Sequence, residues 1–254
     1  MRPFKKGVLL LFLFQALIHP IHAEDPKPLA IGSKAPDFNL KGVDDRMYTL
    51  DSFKDAKLLV IIFTCNHCPT AQAYEDRIIA FTAAYQPKGV QVVAISPNSD
   101  AAIRLDELGY TDLSDSFEEM KIRYKDKGYN FPYLYDGETQ QVSMQYSPVT
   151  TPHTFVFDAQ RILRYVGRID DDEHIGRAKT SDLKNAVDEL LAGKAVTTPT
   201  TRTFGCSVKW KSKTDWKNHE VEEWRKEPVT LEEANLDPLK SLVGNNSGKY
   251  RLVN

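Results

Sequence analysis

Apolar residues along this chain gather in short continuous runs, and the runs alternate with polar segments of helical spacing. The strongest run, Leu-Leu-Val-Ile-Ile-Phe over 58–63, has no polar/apolar alternation, as expected for a strand buried on both faces of a sheet. It leads directly into Thr64-Cys65-Asn66-His67-Cys68-Pro69, and the mixed residues 71–85 then suit a helix. Residues 89–96 read as a second buried strand, so strand, helix and strand imply a right-handed parallel crossover. Residues 150–158 and 161–167 form two more strands joined by Asp158-Ala159-Gln160, a hairpin pattern. Residues 183–191, stopped by Gly193, fit a closing helix.

The intervening stretches complete the expectation. Residues 24–30 form a Pro-containing polar leader expected to be mobile, 31–40 a short extended lead-in and 48–50 a second one. The polar, charged segment 97–128 predicts one or two surface helices, with helical spacing clearest over 116–124. The sum is an α/β protein, a mixed central sheet with helices on both faces.

Composition narrows the class. With 254 residues and 41% hydrophobic content, the chain can bury one substantial core and carry an appendage. A net charge of −2 with no basic stripe among aromatics excludes nucleic acid as the expected partner. Three cysteines are too few for a disulfide scaffold and lack the second pair of a four-ligand zinc site. At the N-terminus, Arg2, Lys5 and Lys6 precede an apolar core over 8–18, and Ile21-His22-Ala23 makes a cleavage site ahead of Glu24. Residues 1–23 are therefore expected to be an export signal; its apolar core is short of the ~20 residues that span a bilayer, so no membrane span is expected after cleavage. Export, periplasmic or secreted, places the dithiol where thiol-disulfide chemistry operates.

The chemistry centres on Cys65 and Cys68. A thiol at a helix N-terminus faces unpaired N–H groups and the positive dipole end, so its thiolate is stabilised. Two residues of separation bring the second thiol close enough to displace a mixed disulfide formed by the first. Cys65 is the expected attacking thiol and Cys68 the resolving one. His67 beside them is expected to stabilise the Cys65 thiolate and so make the couple more oxidising. Pro69 complicates this assignment, because it suits the first helical position and would make Cys68 the cap of a helix that starts there.

The lead-in over 32–40, the Cys65-Asn66-His67-Cys68 turn and Thr151-Pro152 before a strand together resemble the thioredoxin-like superfamily, in its redoxin branch of alkyl hydroperoxide reductase/thiol-specific antioxidant and peroxiredoxin-like proteins. The resemblance runs over about 31–191 and implies a thioredoxin-like domain spanning 24–195. It implies that Pro152 is cis and lies beside the dithiol, and that the backbone of Thr151 pairs with the incoming polypeptide. The function it implies is thiol-disulfide exchange with protein thiols or disulfides and a redox partner protein, without an organic cofactor or a metal. A thiol peroxidase, with antioxidant activity, is the second reading: Cys68 would be peroxidatic and Cys65 resolving, although the proline and hydroxyl of the peroxiredoxin pattern are replaced here by Ile61 and Cys65. A third is a copper carrier in which Cys65, His67 and Cys68 hold the soft metal.

Cys206 lies beyond the core in the alternating segment 203–210. It reads either as a half-buried free thiol or as a third redox thiol that relays a disulfide or couples to a partner. Residues 170–174, Asp-Asp-Asp-Glu-His, lack the spaced ligands and glycine of a calcium loop and read as a solvated acidic helix start. Residues 196–254 form a C-terminal extension with Trp210, Trp216 and Trp224, a helix expected over 231–242 and an apolar end at 250–253. That end resembles the approach to the active-site turn of a further thioredoxin-like domain.

Overall fold

In a computed structural model, residues 27–229 and the isolated positions 236, 237, 240 and 244 are described. The expected export signal, the helix over 231–242 in all but three positions, and the chain's last residues lie outside them. The strands are β1 (Asn39–Gly42), β2 (Met47–Thr49), β3 (Leu58–Phe63), β4 (Val90–Ser96), β5 (Tyr133–Tyr135), β6 (Thr150–Thr151), β7 (His153–Phe157), β8 (Leu163–Gly167) and β9 (Cys206–Ser207). The helices are α1 (Pro69–Tyr85), α2 (Phe117–Lys127), α3 (Gln141–Tyr146), α4 (Asp182–Leu191) and α5 (Thr214–Lys226). Seven strands form one sheet in the order β2-β1-β5-β4-β3-β7-β8, while β6 and β9 pair separately.

Every residue of β3 is buried, and the strand pairs parallel with β4 and antiparallel with β7. Its side chains divide by parity, as a strand's must. Val60 and Ile62 join Tyr74 and Ile78 of α1, Met120 of α2 and Leu183 and Val187 of α4 on one face. Leu59, Ile61 and Phe63 meet Phe155, Phe157, Val142 and Tyr146 of α3, and the lead-in residues Ala35 and Phe38 on the other. Helices thus cover both faces of a mixed sheet, the thioredoxin-like α/β arrangement. Among the described residues, no helix is long and apolar enough to cross a membrane.

Two local expectations need correction. The described part of the leader, 27–30, is tied down by residue 29, whose N–H donates to the Tyr146 carbonyl. Strand β5, of three residues, and helix α3, of six, are too brief to show a period in the sequence. The acidic run 170–174 is a buttressed loop, since α4 starts only at Asp182. Asp170 is buried and accepts from the Tyr74 hydroxyl and Arg77 Nη1, both at 2.6 Å, and Asp171 accepts the N–H groups of Lys179 and Thr180. A carboxylate so engaged has partners within the fold.

Candidate active site

Pro69 decides where α1 begins. Its ring suits the first helical position and holds the preceding residue extended, so Cys68 (φ −74°, ψ 119°) becomes the N-cap and its Sγ accepts the Ala71 N–H at 3.5 Å. Cys65 lies before the helix. The expectation that the helix terminus stabilises the Cys65 thiolate is therefore corrected: that position belongs to Cys68.

Across from the turn, the Thr151–Pro152 peptide is cis. Thr151 touches both sulfurs. Its Oγ1 is 3.2 Å from Cys65 Sγ, and its carbonyl oxygen accepts from the Cys68 thiol at 3.3 Å. Cys206 is the third member. Strand β9 lies antiparallel to β6 with Cys206 opposite Thr151 and Ser207 opposite Thr150, and this brings the Cys206 side chain to the dithiol.

The electrostatics single out one sulfur. Hydrogen bonds from Cys206 and Cys65, and the Ala71 N–H at the helix start, hold the Cys68 thiol well below its ordinary pKa despite burial. Burial, the bond to Cys68 and the charge of Asp115 push Cys65 up. Its bond to Cys68, with burial, pushes Cys206 up. Of the three sulfurs, Cys68 is the one whose surroundings favour ionisation.

The turn between the cysteines is fixed by a residue the sequence did not bring to notice. Asp115 is buried; its Oδ1 accepts the N–H groups of Asn66 and His67 at 2.8 and 3.0 Å, and its Oδ2 engages His67 Nδ1 and accepts from Asn98 Nδ2, each at 2.7 Å. Asn98 Oδ1 in turn accepts the Lys209 N–H at 2.8 Å, which ties this network to the C-terminal segment. Burial opposes a charged His67, but the hydrogen bond and charge of Asp115 outweigh it and raise the imidazole pKa. A negative charge on Cys68 adds a smaller part of that rise. Nothing in the spacing of segment 97–128 marks Asp115 or Asn98; only folding over the turn gives them a role.

Metal-ligating groups also meet here. Cys65, His67 and Asp115 offer atoms within 4.8 Å of one another. This set differs from the expected Cys65, His67 and Cys68, because a carboxylate replaces one thiolate and a hard oxygen suits soft copper less. His153, beside Pro152, is buried outside the dithiol cluster and accepts the Val149 N–H on Nδ1 at 3.2 Å.

Comparison with known proteins identifies the family. Residues 31–166 match the model of the AhpC/TSA family. A hypothetical protein from Sinorhizobium meliloti 1021 is similar in structure, with a TM-score of 0.64 and 33% identity, covering 74% of this chain and 98% of that one. An uncharacterized conserved protein from Geobacillus kaustophilus is similar with a TM-score of 0.64 and 35% identity, covering 72% of this chain and 93% of its own. In sequence, the thiol-disulfide oxidoreductase ResA of Geobacillus thermodenitrificans is 26% identical over 158 residues, 60% of this chain and 79% of that protein.

Proposed function

Because this chain belongs to the AhpC/TSA family and is similar to a thiol-disulfide oxidoreductase, we propose that it exchanges disulfides through the Cys65-Asn66-His67-Cys68 turn after export from the cytoplasm. The observation that carries this reading is a pair of thiols, one capping a helix, both in contact with Thr151 of β6 beside the cis Pro152. Cys68 takes the attacking role that the sequence pattern suggested for Cys65. Its thiolate displaces one sulfur of a substrate disulfide and forms a mixed disulfide. Cys65, once deprotonated, attacks Cys68 Sγ, releases the substrate thiol and leaves a Cys65–Cys68 disulfide. A redox partner protein then restores the dithiol, and the same steps run in reverse oxidise a substrate. Thr151 and Pro152 form the docking edge, and His67 stabilises the thiolate through space.

Purified protein in the presence of dithiothreitol should accelerate reduction of insulin disulfides. Cys68→Ser should reduce the rate to background, and the double variant Cys65→Ser/Cys206→Ser should accumulate mixed disulfide at Cys68. Wild-type activity no higher than the Cys68→Ser background would refute exchange. The stabilised Cys68 thiolate also favours the second reading, a thiol peroxidase. Stoichiometric sulfenic acid at Cys68 and steady peroxide consumption, without insulin reduction, would establish that reading instead.

A further inference from the structure

The edge of Thr151 that would dock a substrate is occupied by this chain itself. Residues 204–209 lie over the dithiol and are fastened on both sides of Cys206. Phe204 packs on the Tyr74 ring at 6.3 Å, Val208 is buried, and the backbone of residue 209 is bonded at both groups: its N–H to Asn98 Oδ1 at 2.8 Å, its carbonyl from the Ser99 N–H and Gln140 Nε2, each at 2.9 Å. The approach is made possible by Gly205. It holds φ at +133°, and a side chain there would collide with the Thr151 carbonyl oxygen. Antiparallel pairing then sets Cys206 opposite Thr151 and packs it against Cys65 and Cys68.

We propose that residues 203–210 are a built-in substrate strand and that Cys206 is a third redox thiol whose disulfide partner is Cys68. This rests on the exchange reading above. A substrate disulfide supplies the two-electron oxidation and leaves a Cys65–Cys68 disulfide. From its docked position the Cys206 thiolate attacks Cys68 Sγ; the Cys206–Cys68 bond forms as the Cys65–Cys68 bond breaks, and Cys65 departs as a thiolate that takes up the proton Cys206 gave up. No electrons enter or leave in this step. Its consequence is an oxidised state in which the strand is locked over the site, while in the reduced state an extended polypeptide competes with the strand for the Thr151 edge.

Tryptic peptides make the linkage readable, since Cys65 and Cys68 fall together in residues 58–77 and Cys206 in residues 203–209. Full-length reduced protein is treated with oxidised glutathione, quenched in acid, alkylated, digested and analysed by mass spectrometry. The expected product joins the two peptides; Cys65→Ser retains the link and Cys68→Ser loses it. Gly205→Val, whose side chain cannot seat against Thr151, should shift the product to a disulfide within residues 58–77, with circular dichroism confirming the fold. A wild-type product confined to residues 58–77, with Cys206 alkylated, would overturn the strand's role while leaving exchange intact. A link that survives Cys68→Ser would overturn the assigned partner. Absence of any disulfide in wild type and in Cys206→Ser would remove both the exchange reading and this one.

Discussion

His153 sits buried between Pro152 and the edge of the sheet core, its ring 4.7 Å from that of Phe155. Burial alone pulls its pKa down from 6.5 to about 4. The unfolded chain therefore binds a proton that the folded one refuses, so the folded state gains full benefit above pH 6.5 and loses it as pH falls through about 4. The loss amounts to about 3 kcal/mol over that window. Urea unfolding of wild type and His153→Gln should diverge accordingly: the difference in stability between them should shrink by that order between pH 7 and pH 4. A pH-independent difference would show that the ring is hydrated or already charged. At the same scale, Asp115 was hidden because an isolated aspartate in a polar loop has no signature. Four donors converge on it only after the loop folds over the cysteine turn. Cys65, His67, Cys68, Thr151 and Pro152, by contrast, were legible because two cysteines at that spacing after an apolar strand, and a Thr-Pro before another, are themselves a pattern.

At the level of elements, β3 is what positions the site, because its last residue is followed within two positions by Cys65. Ile61 is fully buried and packs in the face that includes Phe155 and Phe157. Ile61→Ala should destabilise the protein by about 2–5 kcal/mol, through lost burial and the cavity left behind. Chemical denaturation measures this directly, and a loss below about 1 kcal/mol would mean that this face collapses to fill the gap. Elements marked by a continuous apolar run, a hairpin pattern or a helical stop were readable in advance: β3, β4, the β7–β8 hairpin, α1 and α4. The hairpin even carries its own turn chemistry, with Asp158 Oδ1 accepting the N–H groups of Gln160 and Ile162 at 2.9 Å each. The start of α1 was less certain, and Pro69 fixed it at the position that makes Cys68 the cap.

On the scale of the whole molecule, the chain beyond α4 divides into two parts of different character. Residues 199–211 wrap onto the domain: Pro199 and Thr201 pair with Val166, and Lys209 Nζ forms an ion pair with Glu107 at 2.5 Å. Helix α5 has no buried residue, and Trp216 and Trp224 remain about half exposed, at 53% and 45%. Such a helix opens at little cost to the rest. Limited trypsin digestion of the native protein should cut first after Lys217, Arg225 or Lys226, and the fragment that remains should keep its unfolding transition. Initial cleavage at Lys209 or Arg202 would contradict a firmly docked strand.

The amino-acid sequence by itself determined the α/β class, the buried central strand, the dithiol turn and the Thr151-Pro152 edge, because each depends on residues adjacent along the chain. Tertiary structure decided which thiol caps the helix and is favoured for ionisation, and what lies over it. Cys68 and Cys206 are separated by more than half the chain, and so are Asn98 and Lys209 by a long interval; no local period records such contacts. They arise because β9 pairs with β6 across the top of the site, and strand pairing of that range is set by the closure of the whole fold.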